Sequence, residues 1–424
     1  MRLPGLRYNP RLRPDIKEKT MKTVSGGICA AKGFKANGVH CGIRKNPGKK
    51  DLALIVSSVP ASAAAVYTTN LVKGAPIAVN KKHLANGIAQ AVICNSGNAN
   101  TCNANGIEIA EGMAQLAAKY TGAAVEDIIV GSTGVIGEPL DLAPVAAGMD
   151  ELFAGLSEDG SIEACHAIMT TDTKPKEIAV EFEIGGKVCH LGGIAKGSGM
   201  IHPNMATMLV FLTSDVAISP EMLQTALSGD IKNTFNMISI DGDTSTNDMV
   251  VVLANGLAGN PVITGPGEDF DTFMKALNTV NVYLSRHIAA DGEGATKLLE
   301  CIVSGAADDQ TAKTVAKSVI CSSLTKAAMF GEDANWGRVL CAIGYSGADV
   351  DVDKIDVSFR SAAGEIELCK NGAGVPFSEE IAAKILHEKE IEVLVGLNSG
   401  AFGATAWGCD LTYDYVKING DYRT

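Results

Sequence analysis

The chain is 424 residues long, 46% hydrophobic and 20% charged, with a net charge of −12 at neutral pH. That length allows two or three domains, and the acidic balance argues against a nucleic-acid partner. No apolar run approaches the ~20 residues that a membrane-spanning helix needs. Eleven cysteines run from Cys29 to Cys409 with no C-x-x-C pair. An odd, scattered set of this kind fits small buried side chains in a reducing cytoplasm better than disulfides or a metal site. Plentiful Ala and Gly with few aromatics point to close packing of small side chains.

Residues 1–20 (MRLPGLRYNPRLRPDIKEKT) are basic, broken by three prolines and without an apolar core. They read as a disordered extension rather than a signal or transit peptide, with Met21 as an alternative start. Charge is uneven along the whole chain. The part before Thr207 holds 21 basic and 18 acidic residues, and the part from Thr207 onward holds 15 and 30. Two oppositely biased pieces could attract across a shared interface.

Short apolar runs predict strands at Leu52–Val56 and Ala63–Thr68. Gln90–Cys94 reads as a buried strand that empties into the Asn- and Gly-rich loop Asn95–Gly106. Ile107–Tyr120 has helical spacing with Glu108 and Glu111 in its first turn, where carboxylates suit the positive helix end. Asp127–Val130 predicts another strand, running into Gly131-Ser132-Thr133-Gly134. Leu142–Leu156 predicts a helix, and residues 178–194 alternate as a hairpin about Gly185-Gly186. Met208–Leu212 is an apolar run closed by polar residues and predicts a buried strand. Helices are expected at Pro220–Leu227, Phe270–His287, Val315–Ala328 and Ser378–Ile385. Further strands are expected at Val250–Leu253, Val339–Ile343, Asp356–Phe359 and Ile391–Val395. The mixture argues an α/β or α+β protein.

The chemistry points to residues 195–215, AKGSGMIHPNMATMLVFLTSD. A Gly-Ser-Gly run and a turn at Pro203 lead to Thr207 just where loop becomes strand, with the small Ala206 before it. A hydroxyl so placed can add to the carbonyl of Ala206. Hydrolysis of the resulting ester leaves Thr207 as a new N-terminus, whose α-amine (ordinary pKa near ~8) can deprotonate its own hydroxyl. Taken alone, the pattern also describes a glycine-rich loop feeding a core strand. Ser132-Thr133-Gly134, a strand end with backbone N–H groups and a hydroxyl, is a candidate oxyanion stabiliser, although a plain tight turn has the same look. There is no Walker A run, no G-x-G-x-x-G after a strand, no H-E-x-x-H and no G-x-S-x-G.

The segment AKGSGMIHPNMATML resembles the self-cleavage segment of the ornithine acetyltransferase (glutamate N-acetyltransferase) family of arginine biosynthesis. NSGNAN, GSTGVIG, TTDT, DGEGATK and the closing KINGDYRT extend the likeness from about Met21 to Thr424. The resemblance implies an α+β fold: a layered αββα-like sandwich similar to N-terminal-nucleophile hydrolases, with a smaller α/β C-terminal domain. It implies cleavage between Ala206 and Thr207 into pieces 1–206 and 207–424 that stay together as an α2β2 heterotetramer. Residues 207–290 would complete the core and about 291–424 would form the smaller domain, whose tail returns to the site. Thr207 is then the nucleophile, and Thr133 with Gly134 the oxyanion hole. Thr170, Lys196, Thr207, Glu293, Asn419 and Thr424 become substrate contacts, with the choice among Thr170–Thr173 left open. The implied reaction is ping-pong transfer of acetyl from N2-acetylornithine to glutamate, with no cofactor and no metal. No motif decides whether acetyl-CoA is also a donor, and Asn95–Asn105 and Asp241–Asp248 receive no role. Two rivals stand beside this reading: an N-terminal-threonine amidase or aminopeptidase that passes its acyl group to water, and a small-ligand-binding protein that never cleaves.

Overall fold

The computed structural model describes residues 21–202 and 208–421. β1 (Lys22–Val24) and β2 (Phe34–Val39) lead into β3 (Leu52–Tyr67), a single strand that takes in both of the first two expected runs. Pro60 lies within it, where the register against the next strand shifts between Val56 and Ala61. A proline has no N–H to give a neighbour, so it falls at such an irregularity. Next come α1 (Ala75–His83), β4 (Ile88–Asn98), α2 (Gly106–Thr121), β5 (Ile128–Val135), α3 (Leu142–Ala154) and α4 (Ser161–Ile168). The alternation of residues 178–194 forms the hairpin of β6 (Lys176–Ile184) and β7 (Lys187–Lys196). Then follow β8 (Leu209–Ser214), α5 (Pro220–Asp230), β9 (Ile238–Ser239), β10 (Met249–Ala254) and α6 (Glu268–Ala290).

Nine strands make one mixed sheet in the order β1-β6-β7-β8-β10-β3-β4-β5, with β2 beside β3. The first half of β3 pairs with β2 and its second half with β10, so the long strand passes from one half of the sheet to the other. Side-chain alternation then sorts three cores. Val210 and Leu212 of β8 and Val250 and Val252 of β10 share a core with Leu223 and Leu227 of α5 and Leu277 and Leu284 of α6. Ala91 and Ile93 of β4 and Ile128 and Val130 of β5 pack on Met113 of α2 and Met149 of α3. The opposite faces, Leu209 and Phe211, Met249 and Val251, Val92 and Ile129, meet one another in an inner core. The result is helix, sheet, sheet, helix, the four-layered α+β arrangement. Period-two alternation on strands buried on both sides produces it, because each strand then feeds two apolar layers.

The loop after α6 leads to β11 (Leu298–Ala306), α7 (Asp309–Cys321), α8 (Ser323–Phe330), α9 (Trp336–Gly344), β12 (Asp356–Ser361), β13 (Gly364–Lys370), β14 (Ala373–Gly374), α10 (Glu379–Leu386), β15 (Glu390–Gly396), β16 (Phe402–Cys409) and α11 (Tyr413–Asp421). These strands, joined by β9, form a seven-stranded sheet in the order β14-β13-β12-β15-β11-β16-β9. Two sequence expectations change here. Val339–Ile343 is helical, inside α9, and buries Val339, Ala342 and Ile343 at helical spacing; a five-residue apolar run does not distinguish strand from helix. The helix expected over Val315–Ala328 is two, because the Ser322 hydroxyl accepts from Thr325 N (3.2 Å) and starts α8 anew. Among the described residues no helix is long and apolar enough to cross a membrane.

Candidate active site

Three strands bring their functional ends together. Lys196, the last residue of β7, pairs with Leu209, the first of β8, and Leu209 pairs in turn with Met249, the first of β10. Met249 N donates to Met208 O (2.9 Å), which extends that pairing by one residue toward Thr207. Thr207 itself, the bond joining it to Ala206, and Thr424 lie outside the described residues.

One flank of this strand head is charged. The Lys196 side chain is buried and has no ion pair among the described residues. Behind it, Asp172 Oδ1 accepts from Gly197 N (2.7 Å) and from Lys176 Nζ (2.7 Å), and Asp172 Oδ2 accepts from Thr170 N (3.0 Å). Lys176 Nζ also reaches Asp291 Oδ2 (2.6 Å). Asp291 in turn accepts from Thr173 through both its N–H and its hydroxyl. Burial alone raises the Asp172 pKa, but the ammonium groups of Lys176 and Lys196 outweigh it and hold the carboxyl well below the usual range. Burial likewise disfavours the Lys176 cation, and its two carboxylate partners more than reverse that.

The loop after Asp291 closes this flank. Ser198 Oγ donates to Asp291 O (2.7 Å), and Glu293 N donates to Ser198 O (2.9 Å). The Glu293 carboxyl lies on Gly199, where a Cβ would stand 2.4 Å from its carboxyl carbon; any other residue there would push the carboxylate away. Asn419 Nδ2, from α11, donates to Glu293 Oε2 (2.8 Å). So Thr170, Lys196, Glu293 and Asn419 are joined through one hydrogen-bonded frame. Within it the Thr173 hydroxyl is committed to Asp291, whereas the Thr170 hydroxyl has no partner among the described residues.

The other flank is neutral. Thr133 and Gly134 lie in the last three residues of β5, opposite Ser96 and Gly97 of β4. Gly134 has φ +129, and a Cβ there would lie 2.3 Å from the Gly97 carbonyl carbon, so only glycine fits. Just before them, Ser132 Oγ donates to Asn95 Oδ1 (2.7 Å). Asn247 Nδ2 donates to Ser132 O (3.0 Å) and Ala99 O (2.5 Å), and its Oδ1 accepts from Thr101 (2.6 Å) and Thr246 (2.6 Å). The Thr133 hydroxyl has no partner among the described residues. Among the described residues no hydrogen bond joins Thr133 or Gly134 to Lys196 or Glu293; the 241–248 loop is bonded to both flanks.

That loop is what sequence reasoning missed. At one end Asp241 accepts from Met200 N (2.5 Å) and Ile201 N (2.8 Å), and Thr244 Oγ1 donates to His202 O (2.8 Å). At the other end stand Asn247 and Asp248. The loop therefore ties the segment before Pro203 to the strand of Thr133. Asp248 is buried, its Oδ2 has no hydrogen-bond partner among the described residues, and burial pushes its pKa well above the usual carboxylate value, with Ser245 and Lys196 offsetting only part. The cue in the sequence was the density of Asp, Asn, Ser and Thr in DGDTSTND, which ordinary turns share. Among the described residues no group of His, Cys, Asp and Glu could hold a metal ion.

A family model described as the ArgJ family matches residues 35–424. The chain belongs to the ArgJ family. The arginine biosynthesis bifunctional protein ArgJ of Caldanaerobacter subterraneus subsp. tengcongensis is 50% identical over 405 residues, spanning 95% of this chain and 100% of the relative. The ArgJ of Symbiobacterium thermophilum is 52% identical over 406 residues, again 95% and 100%. Among solved structures, an ArgJ from Bacillus halodurans is 49% identical with a TM-score of 0.48, covering 50% of this chain and 98% of that one. An ornithine acetyltransferase from Mycobacterium tuberculosis, solved with ornithine, is 35% identical with a TM-score of 0.41, covering 44% and 100%.

Proposed function

We propose that this ArgJ-family chain is a glutamate N-acetyltransferase of arginine biosynthesis that cuts itself between Ala206 and Thr207 and works through an acetyl-Thr207 ester. The observation that carries this reading is the convergence just described. Leu209, two residues after Thr207, pairs with Lys196, and Lys196 shares one frame with Glu293 and Asn419. A buried cation and a nearby carboxylate suit an amino acid, which carries one charge for each. Ornithine and glutamate share that α-amino and α-carboxylate pattern, so one grip serves both halves of the reaction.

In maturation the Thr207 hydroxyl adds to the Ala206 carbonyl, the C–N bond breaks, and water hydrolyses the ester. The freed α-amine then takes the hydroxyl proton as Thr207 Oγ attacks the acetyl carbonyl of N2-acetylornithine. Ornithine leaves as the amine, carrying that proton. The α-amine of glutamate attacks the ester, giving N-acetylglutamate and restoring the threonine hydroxyl. Thr133 and Gly134 stabilise the oxyanion in both steps. Substrate contacts come from Thr170, Lys196, Glu293, Asn419 and Thr424; the free Thr170 hydroxyl supports Thr170 over Thr173. Pieces 1–206 and 207–424 remain together as an α2β2 assembly in the cytoplasm, with a smaller domain from about residue 291.

Thr207→Ala tests this most directly. It stays a single ~44 kDa chain on a denaturing gel, the full-length mass, and transfers no acetyl from acetylornithine to glutamate. A Thr207→Ala protein with normal transfer would overturn the reading. Acetylornithine turnover that ignores glutamate would favour the hydrolase instead. Assay with acetyl-CoA as sole donor decides whether it too is used.

A further inference from the structure

We propose that Asp172, Lys176 and Asp291 are positioning residues: a buried clasp that holds the two charge-binding sides of the substrate pocket in register across the cut chain. The inference rests on the function proposed above. Lys176 is among the largest side chains under 2% exposed, and a lysine is almost never buried so completely unless paired. Both of its carboxylate partners are buried. Asp172 grips the backbone on either side of the pocket's cation, at Thr170 N and at Gly197 N, the residue after Lys196. Asp291 stands two residues before Glu293 and fixes Thr173 N and Lys174 N (3.1 and 3.4 Å), while its carbonyl holds Ser198.

The geometry divides at the scissile bond. Asp172 and Lys176 belong to the piece before Thr207, Asp291 to the piece after it. The Lys176–Asp291 pair spans 115 positions in sequence. Once the backbone is cut, the distance from Lys196 to Glu293 is no longer limited by the chain through residues 206 and 207. The clasp then helps set it, together with the Ser198 bonds to Asp291 and Glu293 and the β7–β8 pairing. Two carboxylates facing one ammonium hold the frame together: removing the ammonium leaves like charges side by side in a medium with little screening. They would part, carrying Gly197 one way and Glu293 the other.

The test compares Lys176→Met, Lys176→Arg and Asp291→Asn with the unaltered enzyme. Each is checked for cleavage, for association of the two pieces by native mass spectrometry, and for binding of glutamate and of ornithine by calorimetry. A displacement of about 1 Å at a substrate contact is enough to cost large factors in productive binding. Lys176→Met is therefore expected to raise the KM for acetylornithine and for glutamate by at least about tenfold, with a smaller change in kcat, and Lys176→Arg to recover part of it. Asp291→Asn, nearly identical in shape, is expected to weaken both ligands in the same sense and decides the matter if Lys176→Met does not fold. Variants that lose thermal stability but keep KM and both ligand affinities within about twofold would make the triad merely structural and overturn the proposal. An unaltered enzyme that is uncut, or that binds neither amino acid, would refute the function above and the clasp with it, an outcome distinct from one in which only the variants behave as the unaltered enzyme does.

Discussion

The two flanks of the strand that begins at Leu209 are made of different materials. On the β7 side the frame is ionic: Asp172, Lys176, Asp291, Lys196 and Glu293 are all buried. On the β5 side it is neutral: Asn95, Ser132, Asn247 and the close approach of Gly97 and Gly134. Each suits the task proposed for it. Recognising an amino acid needs fixed opposite charges, and fixed charges inside a protein need partners of their own. Stabilising an oxyanion needs backbone N–H groups at set positions, and those come from strand geometry and amide locks. Damage to the neutral flank should therefore appear in kcat, and damage to the ionic flank in KM.

Gly134→Ala is the strongest way to break that contrast short of removing the nucleophile. The new methyl meets the Gly97 carbonyl carbon and displaces both strand ends. A fall in kcat of about 10²–10³ is expected, the size seen when one oxyanion donor is lost, with little change in KM. Steady-state kinetics read both; a KM effect larger than the kcat effect would erase the distinction. Asn247→Ala is smaller. It strips the Ser132 and Ala99 carbonyls of their donor, and is expected to cost about 1–3 kcal/mol of stability in a urea titration, with a reduced kcat as β5 loosens.

The gentlest probe uses pH, because Asp172 and Asp248 titrate in opposite senses. Asp172 has a depressed pKa in the folded protein. Its contribution is complete above the unfolded value near ~3.9 and fades as pH falls toward its own lower pKa. Asp248 has a raised pKa, so its contribution is complete in acid and is lost as pH rises from that same unfolded value through its own higher one. Asp172→Asn should then lose stability against the unaltered protein near neutrality and draw level in acid, whereas Asp248→Asn should gain on it as pH rises. Melting temperatures across pH 3–8 would show the two slopes; slopes of the same sign would refute the assignment.

Much of this fold was legible in the chain. The hairpin about Gly185-Gly186, the strand after Thr207, and the helices over Ile107–Tyr120 and Phe270–His287 follow from periodicity, because those segments are long enough to commit to one period. α9 did not follow, since Val339–Ile343 is too short for its pattern to choose. β3 was expected as two short runs, Leu52–Val56 and Ala63–Thr68, and is one strand, with Pro60 between them at a shift of register. Of the site, Thr133 and Gly134 were already candidates as a strand end with a hydroxyl and backbone N–H groups, whereas Lys196, Glu293 and Asn419 were named from the likeness of motifs. Lys176 was passed over because a lysine at the start of a strand is ordinarily solvated.

The sequence by itself determined the family, the alternation that feeds three apolar cores, and the short segments that carry reactive groups. Both kinds of information are local: a side chain's face and a motif's identity are set within a few residues. Only the tertiary structure decided that Lys176 sits between Asp172 and Asp291, that Asn247 locks Ser132, and that Asn419 meets Glu293. Those pairings join residues 115 to 126 positions apart in three of the four cases. They exist because packed layers exclude water from buried charges and amides, which must then find one another.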